Sequence, residues 1–134
     1  MYKIDHIGIA VKDMQSSNTL YEKLLNCEPY KQELVVSQKV LTSFFQTGES
    51  KVELVAGTET GNPIDKFIEK KGEGIHHIAF KVEDIKAEMA RLKLEGFRLL
   101  SKEPSKGADN MWVCFVHPKS SNGVLIELVQ PMLS

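Results

Sequence analysis

The chain contains the same segment twice, and this repeat constrains its fold more than any other feature. The stretch Ile4–Met14 returns as Ile75–Ile85, and Val52–Val55 returns as Ile126–Val129. Equivalent positions lie 71 residues apart in the first pair and 74 residues apart in the second. A repeat of about 70 residues is too long for a solenoid unit, so two copies predict a duplicated half-domain.

Each copy is predicted to follow the order β-α-β-β-β. Alternating apolar residues and turn signals predict strands near residues 2–11, 30–36, 40–46, 51–56, 75–82, 98–101, 111–117 and 124–129. Asp13 and Asp84 occupy equivalent places and predict the caps of two helices, over residues 14–26 and from residue 85 to before Gly96. Asn62 and Pro63 predict a short helix between the copies, reaching Lys70. The chain therefore indicates an α+β fold.

The size of the chain predicts one domain spanning residues 1–134. We place module one at about residues 1–58, a linker helix at about 62–71 and module two at about 74–131. In this arrangement two tandem β-α-β-β-β modules build a single mixed sheet.

Composition excludes several classes of protein. The net charge is −1 with 26% charged residues, which does not favour a nucleic-acid-binding or membrane-surface protein. No apolar run approaches the length of a membrane span, and the first residues lack the pattern of a signal peptide. Cys27 and Cys114 stand alone, without a CxxC pattern. We therefore expect a reduced, cytoplasmic protein that binds neither nucleic acid nor membrane.

Each copy carries one histidine near its start and one glutamate near its end, and this quartet predicts a metal site. The four residues are His6, Glu53, His77 and Glu127. Side chains alternate across a strand, so each of them points away from the face that its apolar neighbours offer to a helix. A carboxylate inside an apolar strand is costly to bury unless it is paired or bound to a metal. Two imidazoles and two carboxylates suit one divalent ion of zinc, cobalt, nickel or manganese.

Four other residues receive structural interpretations. His76 points to the opposite face from His77 and has no histidine at its place in the first copy. His117 precedes Pro118 at the end of a strand, which is typical of a turn residue, with a substrate contact as the alternative. Trp112 is interpreted as core or pocket wall. Cys114 is interpreted as a buried strand residue, since no base accompanies it in either copy.

The repeat and several longer stretches resemble the vicinal oxygen chelate superfamily, which includes glyoxalase I, extradiol dioxygenases and methylmalonyl-CoA epimerases. The supporting stretches are Asp5–Val11, Asn62–Lys70, Gly72–Phe80, His117–Ser120 and Gly123–Leu128. The Gly72–Phe80 and His117–Leu128 regions are most similar to the epimerase branch. This resemblance covers essentially the whole chain, and it implies a cup-shaped mixed sheet, the same four residues as metal ligands and a homodimer.

The resemblance also implies an activity. A methylmalonyl-CoA epimerase inverts the α-carbon of its acyl-CoA substrate by removing and returning a proton through a metal-stabilised enolate. Glu127 and Glu53 are then the candidate acid–base residues, while Lys106, Lys119 and Ser120 are candidates for contact with the phosphates of CoA. Some relatives place a further glutamate base on the third strand, where this chain has Thr42. The second proton-transfer residue therefore remains open.

Three alternatives follow from the same superfamily. A glyoxalase I-type lactoylglutathione lyase, acting on a hemithioacetal, would use the same set of two histidines and two glutamates. A metal-free binding module would lack the ligands that this chain retains. An extradiol dioxygenase would need an iron site of two histidines and one carboxylate, commonly in a longer chain.

Overall fold

A computed structural model describes residues 1–133, which form a mixed α+β fold. Within that range there are eight strands. The strands are β1 (Lys3–Ala10), β2 (Lys31–Val35), β3 (Val40–Thr47), β4 (Ser50–Gly57), β5 (Gly74–Lys81), β6 (Ser105–Lys106), β7 (Met111–Val116) and β8 (Ile126–Pro131). The α-helices are α1 (Met14–Leu25), α2 (Pro63–Lys71) and α3 (Ile85–Leu94). Short 3-10 helices cover Val36–Gln38 and Pro118–Ser121. The predicted α+β class and the order β-α-β-β-β in each copy are confirmed.

The helices begin where the sequence predicts them to begin. The side chains of Asp13, Asn62 and Asp84 accept hydrogen bonds from backbone N–H groups in the first turns of α1, α2 and α3. These N–H groups have no partner within the helix, so the caps set the start of each helix. No helix in residues 1–133 is long and apolar enough to cross a membrane.

The chain separates into two compact units, and each is described by itself. The first unit is His6–His76, and the second begins at His77 and includes Met1–Asp5. In the first unit the strand order is β2-β3-β4-β1, where β1 and β4 are parallel and the other pairs antiparallel. In the second unit the order is β5-β8-β7-β6, with β5 and β8 parallel. The two units thus repeat one pairing scheme.

Each unit packs one sheet face against its helix. In the first unit Val11, Met14, Phe45, Leu54 and Ala56 form a buried apolar cluster that includes the start of α1. In the second unit the cluster joins α3 to the sheet through Val82, Ile85, Met89, Leu92, Cys114, Val116 and Leu128. Because side chains alternate along a strand, the residues between these face the other side of the sheet. That other side carries the predicted metal ligands, and we call it the ligand face.

One predicted strand is wrong. Residues 98–101 do not form a strand, and only Leu99 bridges to Val116. Ser101 donates a hydrogen bond to the Glu103 carbonyl and turns the chain, and Pro104 has no N–H group to contribute to a ladder. Pairing with β7 resumes at the two-residue strand β6, in a segment for which the sequence predicts no strand.

Candidate metal centre

In the first unit, the parallel pairing of β1 with β4 brings His6 and Glu53 together. Gly8 lies opposite Glu53 in the register, so the Glu53 side chain shares the ligand face with His6. The Glu53 Oε1 lies 3.3 Å from the His6 Nε2. Both residues are 5% exposed. Two buried polar groups are therefore paired with each other inside an apolar sheet.

The second unit reproduces this pair with other residues. Ala79 lies opposite Glu127 in the parallel pairing of β5 with β8, which places the Glu127 side chain on the face of His77. The Glu127 Oε1 lies 3.2 Å from the His77 Nε2. The exposed fractions are 5% for His77 and 7% for Glu127. The sequence repeat is thus also a repeat of geometry.

A phenylalanine ring lies nearly perpendicular to each histidine ring, and the sequence analysis did not predict either phenylalanine. The Phe44 ring lies 6.2 Å from the His6 ring at 86°, and the Phe115 ring lies 6.2 Å from the His77 ring at 83°. Each phenylalanine also lies directly opposite the glutamate of its own pair in the strand register. Phe44 and Phe115 are 71 residues apart, the same offset as the histidines, so the repeat itself could have identified them.

Each unit thus offers one imidazole nitrogen and one carboxylate oxygen as possible metal ligands, and all four side chains are buried. Imidazole nitrogens with carboxylate oxygens fit a divalent ion such as zinc, cobalt, nickel or manganese.

The structural interpretations of other residues are confirmed. The His76 ring packs edge-on against Phe67 of α2, at 4.9 Å between centroids. The His117 Nδ1 accepts a hydrogen bond from the Lys119 backbone N–H at 3.0 Å, which makes His117 the cap of a turn. Cys114 is buried beside the α3 cluster, and this burial raises the pKa of its thiol. Trp112 packs against the same cluster.

The three residues that are predicted to contact the CoA phosphates lie in two different parts of the second unit. Lys106 is opposite Trp112 in the pairing of β6 with β7, and its Nζ lies 6.0 Å from the centre of that ring. Trp112 packs on the helix side of the sheet, so Lys106 is on the opposite face from Glu127. Lys119 and Ser120 lie in the 3-10 helix before β8, where the Ser120 hydroxyl accepts a hydrogen bond from the Arg98 N–H. None of the contacts described for these three residues involves His77 or Glu127.

Thr42 lies in β3, the third strand, as the resemblance implies, and the register places it on the ligand face. It is 2% exposed, and its Oγ1 donates a hydrogen bond to the Glu33 carbonyl oxygen at 3.2 Å. A threonine hydroxyl stays protonated at neutral pH and does not act as a carboxylate base would. The second proton-transfer group of an epimerase must therefore be another residue.

Comparison with known proteins places this fold and site in a family. Residues 5–115 match the Glyoxalase/Bleomycin resistance protein/Dioxygenase superfamily. The chain therefore belongs to this superfamily, whose vicinal oxygen chelate fold the sequence resembles.

Within it, the chain belongs to the methylmalonyl-CoA epimerase family. It is 39% identical to the ethylmalonyl-CoA/methylmalonyl-CoA epimerase of Cereibacter sphaeroides, over 96% of this chain and 97% of that protein. A methylmalonyl-CoA epimerase of Mycobacterium tuberculosis has a TM-score of 0.93 at 32% identity, over 97% of this chain and 88% of that one. A Streptomyces coelicolor methylmalonyl-CoA epimerase variant in complex with 2-nitronate-propionyl-CoA has a TM-score of 0.91 at 34% identity, over 98% of both chains.

Proposed function

We propose that this protein is a metal-dependent epimerase that inverts the α-carbon of methylmalonyl-CoA. The observation that carries the proposal is the duplicated histidine–glutamate pair, with distances of 3.3 Å and 3.2 Å at equivalent places of the two units. The relatives from Cereibacter sphaeroides and Mycobacterium tuberculosis, which carry this activity in their names, support the choice of substrate. We further propose that both units form a single domain and that His6, Glu53, His77 and Glu127 hold one divalent ion.

The reaction needs charge stabilisation and proton transfer. A divalent ion held by these residues would supply positive charge that stabilises the negative charge developing as the α-proton leaves. The buried pairs supply a dry, low-dielectric site in which such an interaction is strong. The Phe44 and Phe115 rings lie beside the His6 and His77 imidazoles and add apolar surface around each pair.

Glu127 is the proposed base that removes the α-proton. Its carboxylate is buried on the ligand face of β8, against His77. Inversion also needs a group that returns a proton to the opposite face of the planar carbanion. Glu53 is the matching residue of the other unit, and the repeat makes it a candidate for this role in addition to metal binding.

The test is exchange of the substrate's α-proton with solvent deuterium. Glu127→Gln keeps the size of the side chain but removes the base, so exchange should fall by at least about 100-fold. The bound metal should be measured in the same sample, since exchange lost together with the metal would show only a ligand role. Glu49→Gln, in the exposed turn between β3 and β4, is the matched control. Exchange that is undiminished in Glu127→Gln with metal bound removes Glu127 from the role of base.

The rival activity is that of a glyoxalase I-type lyase. The presence of glutamate rather than glutamine at residue 53 gives the set of two histidines and two glutamates that such a lyase also uses. Turnover of methylglyoxal plus thiol, compared with epimerisation of methylmalonyl-CoA, separates the two activities. Lys119, Ser120 and Lys106 remain proposed contacts for the CoA phosphates. A homodimer, a cytoplasmic location and the identity of the metal remain predictions.

A further inference from the structure

The ligand face of the first unit carries a lysine beside its histidine–glutamate pair. In the parallel register of β1 with β4, Lys51 lies directly opposite His6 and two residues before Glu53. Side chains two residues apart on a strand share a face, so the Lys51 side chain is on the ligand face. Neighbouring strands are about 4.8 Å apart, and two residues of a strand span about 7 Å. The long lysine side chain can therefore bring its ammonium group beside a small molecule bound at this pair.

An aromatic contact links the Lys51 ammonium group to the histidine of the pair. The Lys51 Nζ lies 6.0 Å from the centre of the Phe44 ring. Phe44 is 1% exposed, and its ring stacks against Tyr30 at 5.9 Å and stands edge-on to His6 at 6.2 Å. A cation over an aromatic face is attracted by the ring, and the charge of a half-buried lysine acts more strongly than one in water. The positive charge is thus placed near His6 by a buried ring.

A second lysine on this face is further from the pair. Lys31 lies on the edge strand β2, opposite Phe44, and its Nζ is 3.4 Å from the Glu33 Oε1. The strands β3 and β4 separate Lys31 from β1, whereas Lys51 is on the strand next to β1. Lys51 is therefore the lysine that a substrate at the His6–Glu53 pair meets first.

The second unit has a leucine at the place equivalent to Lys51. Leu125 is two residues before Glu127, and the same spacing separates Lys51 from the glutamate of the first unit. The Leu125 carbonyl accepts a hydrogen bond from the Ile78 N–H at 3.2 Å, which extends the parallel pairing of β5 with β8 back to this residue. The two units thus match in histidine and glutamate but differ in charge here. The duplication does not account for this lysine, whereas a substrate with one charged group beside its reacting carbon does.

We propose that Lys51 recognises the carboxylate of methylmalonyl-CoA and so selects this substrate, an inference that rests on the proposed function. The carboxylate is bonded directly to the α-carbon, so it is bound wherever that carbon is bound. The phosphates of CoA are separated from the α-carbon by the pantetheine arm, which is much longer than a lysine side chain. The Lys51 ammonium group donates a charge-assisted hydrogen bond to the carboxylate, and an acyl-CoA without this group loses the contact.

Isobutyryl-CoA isolates the contact, because it has a methyl group in place of the carboxylate and otherwise equals methylmalonyl-CoA. Lys51→Met keeps an unbranched apolar side chain over Phe44 and removes the ammonium group. The dissociation constants of both thioesters are measured by isothermal titration calorimetry with metal-loaded wild type and variant. In Lys51→Met the constant for methylmalonyl-CoA should rise by at least about 10-fold, and that for isobutyryl-CoA should change by less than about 2-fold.

Two further variants serve as rescue and control. Lys51→Arg keeps the positive charge and should recover part of the affinity for methylmalonyl-CoA. Lys66→Met, at an exposed position of α2, should bind both thioesters as the wild type does.

The calorimetry has two results that would overturn the proposal. Equal loss of affinity for both thioesters in Lys51→Met would place Lys51 against a part of CoA that the two share. Unchanged affinity for methylmalonyl-CoA would show that Lys51 does not contact its carboxylate. A wild-type protein that binds methylmalonyl-CoA without inverting it would instead overturn the proposed function and leave the binding comparison valid, whereas one that does not bind it would overturn both.

Discussion

At the scale of single residues, a substitution can decide whether Glu53 is a metal ligand. Within the first unit, the Glu53 Oε1 lies 3.3 Å from the His6 Nε2, a distance that suits either a simple pair or two ligands of one ion. If Glu53 is a fourth ligand, Glu53→Gln should weaken metal binding by at least about 10-fold, since an amide oxygen is a weaker donor than a carboxylate. Competition with a chromogenic chelator measures this, with Glu49→Gln as control. An unchanged affinity would show that three residues suffice.

A second residue-scale prediction concerns the Tyr2 cluster of the second unit. The Tyr2 hydroxyl donates a hydrogen bond to the Glu88 carboxylate at 2.6 Å, and Arg91 contacts both groups. Burial raises the pKa of Tyr2, and the hydrogen bond with Glu88 raises it further. The same hydrogen bond lowers the pKa of Glu88. The raised Tyr2 pKa gives a contribution to stability that is present below pH 10.0 and lost as the pH rises through the folded-state pKa. The lowered Glu88 pKa gives a second contribution to stability, which is present above pH 4.5 and lost as the pH falls through the folded-state pKa.

Tyr2→Phe should therefore flatten the dependence of Tm on pH at both ends. The measurement is thermal unfolding between about pH 3 and about pH 11, followed by circular dichroism, with Tyr30→Phe as the comparison tyrosine. The effect should be small, because both side chains of the Glu88–Arg91 pair reach solvent, with exposed fractions of 26% and 53%. A Tm profile of Tyr2→Phe that runs parallel to that of the wild type at both extremes would contradict this account.

The residues of the site show what the sequence could and could not reveal. The two histidine–glutamate pairs were predictable, because the repeat singles out polar residues that recur in apolar strands. The face on which Glu33 lies was not, because it depends on the register of β2 with β3. A shift of one residue in that register would turn Glu33 to the other face, and the irregular connection through Val36–Gln38 hides the register from sequence.

At the scale of elements, one buried hydrogen bond ties α1 to the sheet. The Ser43 hydroxyl of β3 donates to the Asn18 Oδ1 at 2.6 Å, and both residues are buried. Ser43→Ala removes the hydroxyl donor, and the buried Asn18 Oδ1 then loses this hydrogen bond. The free energy of unfolding should therefore fall by about 1–3 kcal/mol. Urea denaturation measures the loss. Thr19→Ala, at an exposed position of the same helix, should change stability far less.

The contrast between caps and edge strand explains which elements could be predicted. The starts of α1, α2 and α3 follow from Asp13, Asn62 and Asp84, because a cap is a local interaction over three residues. The edge strand β6 of the second unit was misplaced, because an edge strand of two residues depends on its partner β7 and not on its own pattern. Interactions between residues close in sequence could therefore be predicted, whereas strand pairing at the edge of the sheet could not.

At the scale of the whole molecule, an ion that takes ligands from both units, as proposed, should stabilise them together. His6 and Glu53 belong to the first unit, and His77 and Glu127 belong to the second. A ligand that binds only the folded state stabilises it by about 2.7 kcal/mol at a concentration about 100 times its dissociation constant. Addition of zinc or cobalt to the metal-free protein should therefore raise Tm in a single transition, and a chelator should reverse the rise.

Substitution in either unit tests whether one ion serves both. His6→Ala and His77→Ala should each abolish most of the metal-induced rise in Tm, because each removes one ligand of the same site. His117→Ala is the matched control, since that histidine caps a turn and belongs to neither pair. If the ion were held by the His77–Glu127 pair alone, His6→Ala would keep the full rise while His77→Ala would lose it. That asymmetric result would contradict a shared site, and with it the proposal that the duplicated halves act as one domain.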